Sequence, residues 1–319
     1  MAYEALLYLL GPFTAIYFSI RLCSFFWLYI RPSSIGRYLK DSEWAKEKNW
    51  ALVTGASDGI GQAFAGELCR HGFNVVLHGR NLSKLERVQK ELNGLYPRSQ
   101  TRIVISDANL SPASSLEEDI LAKVKDLKLS VLINNVGGTA GVQSISEVYS
   151  TIDNHSVAAV DGLINTNARF TSQVTRLLLP LLATRPRSLI MNMSSGAEWG
   201  MPYLSVYSGT KAYITAWSKA LTAETEAERR NIEVLGIVVG SVQTTSNSHP
   251  LSIFHPTAET FARATLDRVG CGKGSVYGYL PHALQTMSVV FLPEWMVRMA
   301  LISMMKGRKD AADAEAKKQ

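Results

Sequence analysis

The apolar positions of this chain fall into two regimes. Residues 5–30 run through Leu, Ile, Phe, Trp and Tyr with Arg21 as the one charge. At about 1.5 Å per residue these 26 residues can cross a hydrocarbon layer of roughly 30 Å even when tilted, and Arg21 lies near enough to one end to snorkel. The run lacks the basic start and small-residue cleavage site of a signal peptide, and it lacks the polar alternation of an amphipathic helix. It predicts a membrane anchor over residues 1–31. Arg31, Arg37 and Lys40 follow it, and that bias predicts a cytosolic catalytic portion.

Beyond a polar connector at 32–48, short apolar runs alternate with helical periods. The pattern predicts strands at Trp50–Thr54, 74–78, 101–106, 131–134, 189–193 and 234–239, and helices at 62–71, 83–92, 116–125 and about 205–229. Such alternation predicts an α/β fold, a Rossmann-type doubly wound parallel sheet with helices on both faces. The expected domain spans 49–275. A C-terminal apolar helical extension and polar tail follow over 276–319. Its apolar part, 284–305, is broken at Pro293 and carries Val289, Val290, Phe291, Leu292, Trp295, Met296, Leu301, Met304 and Met305. This reads either as a second membrane-contacting helix pair or as a core or dimer element. The mixed-charge residues 306–319 read as a solvated or frayed helix.

A length of 319 residues with 46% hydrophobic and 19% charged positions allows one large domain with appendages. The net charge of +6 is dispersed rather than gathered on an aromatic-bearing face, so no nucleic-acid partner is expected and a phospholipid surface suits it better. Cys23, Cys69 and Cys271 are scattered, and His249 and His255 lack partners at ligand spacing. Neither a disulfide framework nor a metal site is expected.

The chemistry begins at Thr54-Gly55-Ala56-Ser57-Asp58-Gly59-Ile60-Gly61, between the first strand and the first helix. Gly55, Gly59 and Gly61 let the backbone turn tightly, approach a pyrophosphate and leave a helix N-terminus facing negative charge, which implies a dinucleotide. Where NAD sites place an acid, about 20 residues on, this chain has His78-Gly79-Arg80-Asn81. Arg80 favours a 2′-phosphate, hence NADP(H). Tyr207 and Lys211 stand four residues apart, which on a helix puts phenol and ammonium on one face. A charge about 4 Å away supplies on the order of 4 kcal/mol at an effective dielectric near 20, roughly what brings a tyrosine from about 10 to about 7. An acid/base pair beside a phosphate cradle is the expectation.

Together with Asn134-Asn135-Val136-Gly137, Asn167 and Ser194-Ser195, these motifs in this order resemble the short-chain dehydrogenase/reductase family over about residues 49–245. The hydrophobic leader, Pro256-Thr257-Ala258-Glu259-Thr260-Phe261 and Tyr279-Leu280-Pro281-His282-Ala283-Leu284 are similar to its microsomal branch of very-long-chain 3-oxoacyl-CoA reductases and related 17β-hydroxysteroid dehydrogenases. That resemblance implies the endoplasmic reticulum membrane, with the active site in the cytosol. It further implies that Tyr207 is the general acid for a ketone oxygen, and that Lys211 lowers its pKa and bonds the nicotinamide ribose. Ser195 donates to the developing alkoxide, and Asn167 positions a water that feeds protons through Lys211. Asp107 lies near the adenine, Asn134, Asn135 and Gly137 line the cofactor channel, and Val242 and Thr244 meet the carboxamide. Val53, Ser57 and Ile60 complete the cofactor set with the three glycines, Arg80, Tyr207 and Lys211.

Two departures stand out. Val239 replaces the proline usual before Gly240, and Ser195 to Tyr207 spans twelve positions, one fewer than usual. Ser194 restores that spacing and stays the alternative, while Ser195 keeps the second place in the pair. Residues 204–206 and 245–255 are expected to border the substrate. The latter, with Leu251, Ile253 and Phe254 between Pro250 and Pro256, reads as a lid with an apolar face. The expected function is NADPH-dependent reduction of a ketone on a hydrophobic substrate, a long-chain 3-oxoacyl-CoA in fatty acid elongation. A steroid or secondary-metabolite ketone, and a non-catalytic membrane-tethered cofactor-binding scaffold, are the alternatives. A homo-oligomer remains open.

Overall fold

A computed structural model describes residues 2–39, 48–112, 114–139, 142, 145–290 and 292–317, with the side chains of 2–10, 145, 146, 289 and 290 excepted. Lys40 and Phe291, part of the connector and both ends of the chain lie outside the described residues. In chain order the elements are α1 (Ala2–Ile30), β1 (Trp50–Thr54), α2 (Gly59–Arg70), β2 (Asn74–Gly79), α3 (Leu82–Leu95), β3 (Thr101–Ile105), α4 (Ala122–Val124), β4 (Leu129–Asn134), α5 (Ile145–Val148), α6 (Val157–Ile164), α7 (Phe170–Ala183), β5 (Ser188–Met193), α8 (Ser205–Ala227), β6 (Ile232–Val238), α9 (Ala258–Leu266), β7 (Ser275–Tyr277), α10 (Leu280–Val290) and α11 (Glu294–Ala316).

The strands form one parallel sheet in the order β3-β2-β1-β4-β5-β6-β7. Successive residues of a strand alternate between two cores. Ala51 and Val53 pack with Phe64, Leu68, Leu85 and Phe261 from α2, α3 and α9. Trp50 and Leu52 pack with Phe170, Val174, Leu178 and Leu221 from α7 and α8. With both faces covered, the strands read as unbroken apolar runs in the sequence. The order reverses direction between β1 and β4, and this opens a crevice at the carboxyl edge of the sheet.

Three features of the sheet and its helices depart from the sequence expectation. Residues 157–183 form a helix, α6 and α7 joined by a π-helical turn at Asn165–Arg169. The polar Asn165-Thr166-Asn167 and Pro180 within α7 blur its apolar period. The expected helix at 116–125 is a π turn, Glu117–Leu121, running into the short α4. The sheet also gains β7, too short at three residues to give a strand signal and placed across position 275.

Within α1, Gly11–Ile30 has a mean hydropathy of 1.5 and is long and apolar enough to cross a membrane by length and composition. Phe13, Ile16, Phe18 and Trp27 are exposed on it. Its C-terminal end is stitched to the domain. The Arg268 guanidinium donates to the Leu28 carbonyl and lies 4.9 Å from the Tyr29 ring centroid, and the Tyr29 hydroxyl donates to Tyr277 O at 3.0 Å. Arg31 donates to Val269 O at 3.2 Å. The basic residue after the apolar run therefore helps to fasten it. At the other terminus α11 buries Met305 and Ala312 while Trp295, Met299 and Ile302 stay exposed on it.

Asn134, at the end of β4, is buried, and its amide donates to Thr175 Oγ1 and to Asn192 Oδ1, each at 2.8 Å. Asn192 passes the chain on to Ser218 Oγ at 3.0 Å. This polar relay ties β4 and β5 to α7 and α8. Asn134→Ala strips two acceptors of their buried donor, so the unfolding free energy should fall by about 1–3 kcal/mol; urea titration of the two proteins checks it.

Candidate active site

The crevice at the sheet switch point is a cavity of about 580 Å³, a volume in the usual range for small-molecule sites. The glycine turn forms one wall, with Gly55, Ser57, Gly59, Ile60 and Gly61 lining it. Asp58 caps α2, its carboxylate accepting from Gly59 N at 2.7 Å. A Cβ on Gly61 would stand 2.1 Å from Gly55 O, so the turn folds this tightly only with hydrogen at that position.

The turn is braced from the neighbouring strand. Thr54 Oγ1 accepts from the backbone N–H groups of Asn135 at 2.9 Å and Val136 at 3.0 Å, and the Asn135 amide returns a bond to Thr54 O at 3.0 Å. Asn135 and Gly137 line the cavity. Asn134 and Val53 do not: Asn134 serves the relay described above, and Val53 is fully buried in the core under α2. Both were expected among the cofactor contacts. The strand alternation that sends their side chains into the layers explains the difference.

At the β2 end, Arg80 and Asp107 line the cavity and form a long ion pair at 3.9 Å. Lys84, on the first turn of α3, lies 3.8 Å from Asp58 and lines the same wall. No sequence motif singles out Lys84. Its position four residues beyond Arg80, just after the cap Asn81, is the signal that could have found it. The Asp107 carboxylate is held by the Asn109 and Leu110 N–H groups at 2.8 and 3.3 Å.

At the other end α8 carries Tyr207 and Lys211, both lining the cavity with Ser195, Val242 and Thr244. Lys211 is buried, donates to Met193 O at 3.1 Å and has Nζ 5.6 Å from the centre of the Tyr207 ring. Burial pushes its pKa down to about 8, which leaves it largely charged at neutral pH. For Tyr207 the sequence expectation is reversed. Burial pushes the phenol up, a hydrogen bond with Ser195 draws it part of the way back, and Lys211 is not among the groups that move it. Desolvation sets the direction, and a phenol raised above its ordinary value of about 10 keeps its proton at neutral pH.

The two serines have separate partners. Ser194 is buried, and its hydroxyl contacts Lys211 O at 2.8 Å, Glu198 Oε2 at 2.9 Å and Thr215 Oγ1 at 2.8 Å. Ser195 caps the short turn Gly196–Trp199, its Oγ accepting from Ala197 N at 3.2 Å, and lines the cavity with Tyr207. Asn167 sits in the π turn behind the cavity. Its Oδ1 accepts from Gly138 N at 2.9 Å, and its amide donates to Gly138 O at 2.8 Å and Leu163 O at 3.0 Å. The side chain thus fixes the loop after β4, and π turns of this kind recur at functional sites.

The chain thus offers what a phosphorylated dinucleotide requires: a glycine turn at a helix N-terminus, two cations at the β2 end and an acid/base pair at the far end. In residues 49–252 it matches the model of the short chain dehydrogenase family. It is 35% identical over 237 residues to a very-long-chain 3-oxoacyl-CoA reductase of Emericella nidulans, covering 71% of this chain and 64% of that one. A protein of the same name from Bos taurus is 29% identical over 297 residues, 91% of this chain and 89% of the relative. The short-chain dehydrogenase from Sphingobium yanoikuyae in complex with NADPH shares the fold at a TM-score of 0.63 and 20% identity, covering 80% of this chain and 95% of that structure. The glycine turn, the braced switch point and the Tyr207–Lys211 helix are therefore those of a nicotinamide-dependent oxidoreductase, and the chain belongs to the short-chain dehydrogenase family.

Proposed function

We propose that the protein reduces the 3-oxo group of a long-chain acyl-CoA with NADPH. The convergence of Tyr207, Ser195 and Lys211 at one end of the dinucleotide cavity carries this reading. A protonated phenol beside a serine hydroxyl is set up to deliver a proton to a ketone oxygen. The nicotinamide, when bound, supplies the hydride.

Each residue has a part. Tyr207 protonates the forming alkoxide and Ser195 donates a hydrogen bond to the same oxygen. Lys211, charged under the ribose, passes a proton to the phenolate after each turnover and regains its charge by taking up a proton from solvent. Asn167 holds the β4 loop over Lys211 through its bonds to Gly138. Arg80 and Lys84 neutralise the 2′-phosphate, trading their long contacts to Asp107 and Asp58 for charge-assisted bonds.

The acyl-CoA assignment rests on the reductases whose sequences this chain resembles and on the apolar lid. Leu251 and Ile253 are 57% and 65% exposed, which suits a long alkyl chain lying against them. The apolar α1 supports attachment to the endoplasmic reticulum membrane, with the site on the cytosolic side.

NADPH oxidation with C18 to C22 3-oxoacyl-CoA substrates and with polycyclic ketones tests the reading. Tyr207→Phe should lower kcat on the acyl substrate by about a hundredfold or more, and turnover that survives it unchanged refutes the acid role. A preference for polycyclic ketones above about tenfold in kcat/KM moves the substrate to that class and leaves the chemistry in place.

Arg80→Ala should weaken NADPH about ten- to a hundredfold and barely change NADH, as measured by quenching of protein fluorescence. Reductive kcat/KM should also fall as pH rises through about 8, where Lys211 loses its charge. Lys211→Arg, charged throughout, should remove that limb from the pH profile.

A further inference from the structure

His282 is buried on α10, far along the chain from Tyr207, and its imidazole joins three segments. Nδ1 accepts from Gly240 N at 3.3 Å, just past the end of β6. Nε2 faces Ser241 O at 3.1 Å and Phe254 O at 3.3 Å. Because Nδ1 receives an N–H, the ring proton belongs on Nε2, where two carbonyls accept it. Phe261 and Tyr279 pack on the ring at centroid distances of 5.9 and 5.1 Å.

The contact leaves no room for a side chain at its partner. A Cβ on Gly240 would stand 2.6 Å from His282 Cγ, so the ring lies directly against the backbone that lines the cavity. Phe254 belongs to the lid, residues 245–255. The lid is also tied by Thr245 Oγ1 to Asp58 Oδ1 at 2.9 Å, by the Asn247 amide to Val242 O at 2.9 Å and Ser241 Oγ at 3.3 Å, and by the buried His255, whose Nδ1 meets Ser241 Oγ at 2.8 Å.

We infer that His282 is a positioning residue that fastens the substrate lid to the exit of β6 and does so only as the neutral imidazole. Protonation would set a second N–H against the Gly240 N–H and break the acceptor contact. The titratable groups around the ring are the His255 imidazole from the lid and the Tyr279 phenol. Burial, with a smaller push from His255, holds the His282 pKa below its ordinary value against the Phe254 and Ser241 carbonyls, which act to raise it. A histidine that is harder to protonate folded than unfolded contributes stability above its unfolded pKa of about 6.5, and that stability is lost as pH falls through the folded value. The latch is therefore closed at neutral pH and opens in acid.

The inference takes 245–255 as the lid, as the proposed function does, but hydrogen exchange of the full-length protein tests it without turnover. In His282→Phe, which keeps the ring packing, lid amides should exchange about tenfold faster at about pH 7.5 while β1 and β4 stay protected. In the wild type, lid exchange corrected for intrinsic rates should rise between about pH 7.5 and 5.5. His282→Gln keeps a donor for the two carbonyls and cannot ionise, so its lid should stay protected and lose most of that pH response. A lid in His282→Phe as protected as the wild type's overturns the inference, and so does an unchanged pH response in His282→Gln. If the Phe variant does not fold, the wild-type and Gln comparison decides alone. If the lid responds as expected and no ketone is reduced, the failure lies with the proposed substrate chemistry.

Discussion

Everything in the cavity depends on the brace between Thr54 and Asn135. The sheet order reverses between β1 and β4, so the loops leaving these strands diverge and their backbone N–H groups have no ladder partner. Thr54 Oγ1 takes two of these N–H groups and the Asn135 amide returns a bond to Thr54 O. The crevice is thereby held open without leaving its rim unsatisfied. The glycine turn begins at the next residue after Thr54, and its shape is fixed by the same bonds.

Burial sets the chemistry at the far end. A lysine and a tyrosine one helical turn apart in water would form a weakly interacting pair. Taken out of water, both are pushed toward their neutral forms, and Lys211 keeps its charge because its pKa of about 8 still lies above neutrality. The tyrosine stays protonated, which suits a proton donor in reduction more than a base in oxidation. Pairwise spacing gave only the charge interaction and missed desolvation, the larger effect.

Most of the framework was legible because its signals are local. Strands β1 and β2 are continuous apolar runs, and the glycine turn is a fixed spacing. Tyr207 and Lys211 need only a helix to share a face. What stayed hidden depends on the other face of a layer or on distant packing. Asn134 and Asn135 are adjacent in the same motif, yet the strand alternation sends one into a buried relay and leaves the other on the rim. Ser194 and Ser195 could not be separated by counting to Tyr207. The carbonyl of Lys211 and the carboxylate of Glu198 occupy the first, and that depends on how α8 packs. Lys84 needed the geometry of α3, and β7 was too short for any period to show.

The lid is tied to the rest of the molecule by a route that chain order does not suggest. The end of the apolar helix α1 bonds to Val269 and to Tyr277 in β7. Five residues beyond Tyr277, His282 reaches the β6 exit and the lid. The same short segment therefore receives the end of α1 on one side and holds residues 245–255 on the other. Because β7 pairs with β6 from Gly236 to Val238, a load on α1 reaches the sheet through hydrogen-bonded strands rather than through a loose linker. The C-terminal end of α1 is thus joined to the domain by side-chain bonds of Arg268, Tyr29 and Arg31 as well as by the chain itself.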